Sequence, residues 1–197
     1  MSLLDKFKPH KDRDLHLICR MLLSAGITPN VVTAFGLLVS VLAGVVAGSG
    51  HLYAGIVIFL MGAGLDVVDG SLARNAGLCT EFGRYFDSIC DRLSEAVFIA
   101  GAVIGGVPSI TFMVVAGSVL LLASRVVNHQ KGLDSDAAMF GRPERLTLLV
   151  AGLLSPSPIN AILVVTNTLL SLVSSYQVLA SGAKAEKSNE NAIAAEQ

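Results

Sequence analysis

Three long stretches of this chain carry no charged side chain, and that pattern of gaps restricts the fold more than any other feature. No Lys, Arg, Asp or Glu occurs between Arg20 and Asp66, between Glu95 and Arg125, or between Arg145 and Lys184. The hydrocarbon core of a bilayer is about 30 Å thick and takes about 20 helical residues to cross. The first and third gaps are long enough to contain spanning helices, and the second is the middle of a helical hairpin. Composition agrees: 53% of the 197 residues are hydrophobic and the mean hydropathy is +0.67. Charged residues make up 15%, against about 25% in soluble proteins. The expected fold class is an all-α integral membrane protein of one domain.

Turn signals divide the apolar sequence into six expected spanning segments. The first runs over 29–48, with Pro29 suited to a first helical turn. A turn at Gly48, Ser49, Gly50 and His51 leads to the second, 53–74. The third covers 82–104 and ends at Gly105, Gly106, Val107 and Pro108. The fourth covers 109–131; a polar loop over 132–143 then precedes the fifth, 144–154. Ser155, Pro156, Ser157 and Pro158 turn the chain into the sixth, 159–179. Ahead of these, residues 2–22 read as an amphipathic juxtamembrane helix, with Leu3, Leu4, Phe7, Leu15, Ile18 and Met21 opposite Lys and Arg. The membrane domain is expected to occupy 1–181, and 182–197 to form a disordered, polar cytoplasmic tail.

The charges then report orientation. The turns at 48–52, 105–108 and 155–158 have no Lys or Arg, so all 14 basic residues fall on the opposite side. Short loops rich in Lys and Arg stay cytoplasmic, which puts both termini and the acidic residues inside a multi-pass protein of the cell membrane. A cleavable signal peptide is not expected, because the first 20 residues carry Lys6, Lys8, Lys11, Arg13 and Arg20 without an early apolar block. Cys19, Cys79 and Cys90 form no paired framework and read as packing residues. Nothing in the sequence points to nucleic acid as a partner.

Within this apolar chain, residues 66–91 read DVVDGSLARNAGLCTEFGRYFDSICD. Asp66 and Asp69 are spaced i, i+3, and Asp87 and Asp91 i, i+4, so each pair shares one helix face. The short link makes the second and third segments antiparallel neighbours, with the two pairs facing each other. Four carboxylates at the edge of a hydrocarbon region repel one another and are costly to desolvate. Divalent cations compensate, and hard oxygen ligands suit Mg²⁺ or Mn²⁺, two ions being able to share such a set across a phosphoryl group. The alternative for any single Asp is an interface-level ion pair with Arg74, Arg84 or Arg92. Gly70 and Gly83 would let phosphates approach the backbone, or would serve helix packing. Arg74 could pin a diphosphate or anchor the cytoplasmic end of its helix.

The run Asp66-x2-Asp69-Gly70-x2-Ala73-Arg74-x8-Gly83-x3-Asp87-x3-Asp91 fixes eight residues over 26. It resembles, at every position, the signature of the CDP-alcohol phosphotransferase family. Six spanning helices and an N-terminal surface helix are similar to that family too. The resemblance implies that Asp66, Asp69 and Asp87 hold the metals, and that Asp91 helps ligate one metal and is the general base. It implies that Gly70, Arg74, Thr80 and Gly83 border the CDP part of a CDP-lipid donor. The family's Thr-Pro-Asn-x-x-Thr stretch is similar to Thr28, Pro29, Asn30, Val31, Val32 and Thr33, which extends CDP-lipid binding to 29–33; an N-cap and first turn would also account for Thr28 and Pro29. A homodimer is implied as well.

The resemblance also implies a reaction. Asp91 takes the proton of an incoming hydroxyl, which attacks the lipid-side phosphorus of the CDP-lipid while CMP leaves, with bound metal and Arg74 stabilising the charge that develops. For the acceptor, Arg125, Lys131, Arg142 and Arg145 form a second basic group suited to gripping a phosphate, or to anchoring topology. Gly141-Arg142-Pro143-Glu144-Arg145-Leu146 resembles the Arg-x-Glu-Arg-Leu stretch of the inositol-phosphate-using members, the phosphatidylinositol phosphate and archaetidylinositol phosphate synthases. The end of the fourth segment, Ser124 to Lys131, departs from the basic and acidic run of those members, and His129 there reads as an interfacial residue or a ligand. The expected activity is therefore transfer of the lipid phosphate to inositol phosphate, with glycerol 3-phosphate as the alternative acceptor. Ion transport through an Asp relay would place acidic groups near the midplane, and their collection toward one face argues against it.

Overall fold

The computed structural model describes residues 21–22, 26–130 and 141–195, with the side chains of residues 75 and 185–195 left aside. Among the described residues the chain is helical and contains no strand. The helices are α1 (Pro29–Gly48), α2 (Leu52–Asn75), α3 (Glu81–Ile104), α4 (Phe112–Gln130, led in by a 3₁₀ turn at Ser109–Thr111), α5 (Arg142–Leu154) and α6 (Ile159–Ala195). Among the described residues, four stretches are long and apolar enough to cross a membrane: α1, Leu52–Arg74 of α2, Ser109–Gln130, and Ile159–Lys184 of α6. Helix α3 falls outside that set because Glu81, Arg84, Asp87, Asp91, Arg92 and Glu95 occupy its first four turns. Helix α5 has 13 residues, which reach only about 20 Å at 1.5 Å per residue. The surface helix expected over 2–22 lies outside the described residues, except for Met21 and Leu22, which are helical.

The chain forms two compact units, Met1–Gly106 and Val107–Gln197. In the first unit α1 packs against both α2 and α3, which touch each other much less. Small residues permit this. A methyl on Gly101 of α3 would run into the Gly44 backbone of α1, and one on Gly55 of α2 would meet Ala43 and Ala47. Close backbone approach through small residues is how membrane helices associate when lipid is as apolar as their side chains. The two helices bearing the Asp pairs are thus held mainly by α1 rather than by each other. Their direct contact includes Phe59 and Phe98, stacked with ring centroids 4.3 Å apart.

The turn between α2 and α3 is fixed locally. Gly77 has φ +65°, the amide of Leu78 donates to the Ala73 carbonyl at 3.0 Å, and that of Gly77 to Arg74 at 3.4 Å. This is a Schellman closure, in which glycine takes the left-handed position without a Cβ penalty. Thr80 then caps α3, its hydroxyl accepting from the Gly83 amide at 2.9 Å. By contrast, Thr28 precedes α1 without a side-chain cap bond.

The second unit is joined by polar side chains. The hydroxyls of Ser124 (α4) and Ser175 (α6) are hydrogen-bonded, and the Asn128 amide donates to the Val178 carbonyl at 2.5 Å. Asn167 of α6 donates to the Arg145 carbonyl at 3.0 Å, which ties down the first turn of α5. Helix α6 continues to Ala195, into the segment 182–197 expected as a disordered tail. Gly182 lies against the Asn128 amide, and the residues beyond it include several strong helix formers, Ala, Lys and Glu, with no Gly or Pro to stop the helix.

The helix contacts in the first unit are testable. Gly101→Val should lower the thermal stability of the detergent-solubilised protein, since overpacking a close contact costs about 1–3 kcal/mol. Gly64→Ala, at a helical site with nothing nearby to meet the added methyl, should be neutral or slightly stabilising. Circular dichroism melts of the two variants check the difference.

Candidate active site

Helix α2 delivers Asp66 and Asp69 in its last three turns, and α3 delivers Asp87 in its second. One carboxylate oxygen from each of Asp66, Asp69 and Asp87 lies within 4.8 Å of the others. Asp69 is the most enclosed, at 2% exposure; Asp66 and Asp87 are half-buried. Asp91, which the sequence groups with them, is outside this cluster of three and stands one turn further along α3 from Asp87.

The geometry fits a divalent cation. Octahedral Mg²⁺ holds oxygens at about 2.0–2.1 Å, so its ligands stand about 3–4 Å apart. A trio already gathered to within 4.8 Å needs only small side-chain adjustments to meet that spacing. The donor set is all carboxylate oxygen, the chemistry that hard cations select. Asp66, Asp69 and Asp87 form a group that could hold such an ion.

The cluster opens onto a cavity of about 230 Å³ within the first unit. Of the residues assigned from sequence to donor binding, Pro29, Asn30, Thr33, Gly70, Arg74, Thr80 and Gly83 line it, together with Asp69 and Asp87. Val31 and Val32 do not. Val31 points outward at 56% exposure, and Val32 packs on the buried Leu72. Helix periodicity explains this: Pro29, Asn30 and Thr33 share the face that turns to the cavity, whereas Val32 turns to Leu72 of α2 and Val31 away from both.

Two glycines shape the wall. A Cβ on Gly83 would come within 3.0 Å of the Thr80 hydroxyl and 3.4 Å of the Asn30 side-chain oxygen, so the cap of α3 and the first turn of α1 close together there. A Cβ on Gly70 would meet only Arg74, at 3.5 Å, which leaves the backbone beside Asp69 open to a ligand. The Arg74 guanidinium donates to the Ser71 hydroxyl at 3.2 Å and is exposed on the cavity. Arg92 pairs with Glu95 at 3.4 Å.

Ala73, Leu78, Cys79 and Arg84 also line the cavity, and sequence reasoning had assigned none of them to donor binding. Arg84 could have been found, because it follows Gly83 directly and precedes Asp87 by three, one turn from the carboxylates. Cys79 is exposed rather than packed, since it lies in the link between two helix caps; Cys90 is buried as expected, and Cys19 is outside the described residues. In the second unit Arg145 is 2% exposed, and Arg125, His129 and Arg142 are half-buried. Lys131 lies outside the described residues.

Comparison with known proteins agrees with this geometry. The family profile for CDP-alcohol phosphatidyltransferases matches residues 26–177. The phosphatidylinositol phosphate synthase of Mycobacteroides abscessus is 38% identical over 66% of this chain and 64% of its own length. The archaetidylinositol phosphate synthase of Pyrococcus horikoshii is 35% identical over 82% of this chain and 88% of its own. Among solved structures, the Mycobacterium tuberculosis phosphatidylinositol phosphate synthase with CDP-DAG bound superimposes with a TM-score of 0.74 at 26% identity, covering 86% of this chain and 94% of that one. The same enzyme in complex with manganese and citrate gives 0.73, also at 26% identity, over 85% and 88%. With three of the signature aspartates gathered beside one cavity and the profile running from α1 to the middle of α6, the chain belongs to the CDP-alcohol phosphatidyltransferase family.

Proposed function

We propose that this protein transfers the lipid-phosphate group of a CDP-lipid to a hydroxyl of inositol phosphate, releasing CMP. The observation that carries the reading is the convergence of Asp66, Asp69 and Asp87 beside a cavity walled by Gly70, Arg74 and Gly83. Relatives 38% and 35% identical to this chain are named phosphatidylinositol phosphate synthase and archaetidylinositol phosphate synthase.

The donor's pyrophosphate lies against Arg74 and the open backbone at Gly70, with the cytidine toward Asn30 and Thr80. Mg²⁺ or Mn²⁺, as one ion or two, supplies charge neutralisation for the pyrophosphate when held by the aspartates. Asp91 is the general base. One turn beyond Asp87 on α3, it would help hold a metal ion and accept the proton of the acceptor hydroxyl. That oxygen bonds to the lipid-side phosphorus as the bond from phosphorus to the CMP oxygen breaks. Arg74 fixes the departing phosphate through its planar donors. Arg125, Arg142 and Arg145, with Lys131, bind the phosphate of the acceptor, since guanidinium pairs suit phosphate geometry.

The same reading keeps six spans, with α3 and α5 crossing alongside the four longer apolar stretches, and an amphipathic helix over 2–22 on the membrane surface. The absence of Lys and Arg from the turns at 48–52, 105–108 and 155–158 supports a cytoplasmic active site in the cell membrane. A homodimer belongs to this reading through family membership.

Purified protein given CDP-diacylglycerol or CDP-archaeol with Mn²⁺ or Mg²⁺ should release CMP with inositol phosphate and far less with glycerol 3-phosphate. The opposite preference would move the protein to the alternative acceptor. Asp91→Asn should cut turnover by about 10²–10⁴-fold, the usual worth of a general base, while retaining CDP-lipid binding. Asp66→Asn should weaken metal and donor binding together; titration of each ligand separates the two cases. Arg145→Ala should raise the KM for the acceptor about tenfold or more with little change for the donor, and Arg145→Lys should recover part of the loss. A rise in donor KM instead would assign Arg145 to the donor.

A further inference from the structure

We infer that Thr33 is a positioning residue of the metal centre, its hydroxyl holding the Asp69 carboxylate in the orientation at which Asp66, Asp69 and Asp87 converge. The inference rests on the reading of that trio as the metal site. Thr33 belongs to α1, and its partner is 36 residues away on α2. Its Oγ1 lies 2.6 Å from Asp69 Oδ2 and 3.1 Å from the Pro29 carbonyl oxygen. A hydroxyl has one proton to donate, so the two distances decide its direction. The shorter falls in the range of about 2.5–2.7 Å for an O–H on a carboxylate. The longer exceeds the common O–H···O range of about 2.5–3.0 Å. The proton is therefore on the Asp69 side, and the Pro29 contact is the remnant of ordinary back-bonding by a helical threonine.

Burial makes the bond consequential. Thr33 is 8% exposed and Asp69 2%, so water is poorly placed to substitute for either partner. The threonine side chain is stiff about χ1 in a helix, and its helix is the one that packs on both α2 and α3. A carboxylate tethered in this way is aimed before an ion arrives. Loss of such an outer partner costs about 10–100-fold in metal affinity. Thr33 also lines the cavity, so a direct contact to the nucleotide is the competing role.

The two roles separate when metal binding is measured without any donor. Mn²⁺ binding to the intact chain in detergent can be followed by electron paramagnetic resonance of the free ion, for wild type, Thr33→Val and Thr33→Ser. Valine keeps the branched shape and removes the donor; serine keeps the donor. The expected result is Mn²⁺ affinity about tenfold or more weaker in the valine variant and near wild type in the serine variant. The metal-free melting curves should agree, and raised Mn²⁺ should restore most of the valine variant's turnover. Unchanged Mn²⁺ affinity in the valine variant, with loss confined to CDP-lipid affinity, overturns the inference and leaves Thr33 as a nucleotide contact. A wild-type protein that itself binds no Mn²⁺ overturns the metal-site reading and this inference with it, so the two failures are distinct.

Discussion

Carboxylates gathered in an apolar protein repel one another, and something must hold them in place before any ligand arrives. Here the holding element is α1. Its backbone approaches α2 at Gly55 and α3 at Gly101 so closely that a methyl would not fit, which fixes the positions of the two helices that bear the aspartates. Those helices do little to hold each other. The opening between them is a consequence of α1 acting as the common support; Asp69 and Asp87 line it, with Asp66 beside them. Were α2 and α3 packed side by side along their length, the carboxylates would meet without room for a ligand. The small residues of α1 are thus a condition for the site as much as for the fold.

The link between α2 and α3 serves the same end by different physics. A Schellman closure at Gly77 and a threonine cap at Thr80 satisfy backbone groups that both helix termini would otherwise leave exposed. Because Leu78, Cys79 and Thr80 are pinned at both ends, they form a defined wall of the cavity. The glycines divide the work. Gly83 lets the cap of α3 and the first turn of α1 come closer than a side chain would comfortably allow, and Gly70 leaves an approach to the backbone open next to the most buried aspartate.

Much of this was legible from the sequence, and the exceptions have physical causes. Pairing of Asp66 with Asp69 followed from helical spacing, and helix starts and stops followed from Pro29, Gly48 and Gly105. The role of α1 between its neighbours was not legible, because a short link implies proximity of α2 and α3 without saying which third helix intervenes. Val31 and Val32 belong to the same motif, but a helix turns about 100° per residue, so a five-residue run cannot aim every side chain at one cavity, and these two fall outside the sector that Pro29, Asn30 and Thr33 share. The tail from Ser181 was read from polarity alone. Polarity does not distinguish a disordered segment from a solvated helix propagated from a long apolar one, and the seating of Gly182 on Asn128 lies across a gap no local pattern reveals. Thr33 was placed at the site for its motif, while its hydrogen bond to Asp69 depends on tertiary contact.

The second unit obeys a different rule from the first, and the contrast bears on the buried arginine. Its helices are joined by Ser124 with Ser175, Asn128 with Val178 and Asn167 with Arg145, polar contacts that are specific in direction where glycine packing is not. Asn167 holds the backbone of Arg145 at the start of a helix too short to cross the bilayer unaided. A guanidinium is expensive to bury, and a side chain at 2% exposure is retained there only when its surroundings make up that cost. Anchoring its main chain by a buried amide limits the directions in which the guanidinium can point. Topology alone would be served as well by an exposed lysine, which carries the same charge without the desolvation. An arginine buried and fixed at its backbone instead offers donors in a set direction, the property that the acceptor-phosphate role proposed for Arg145 calls for.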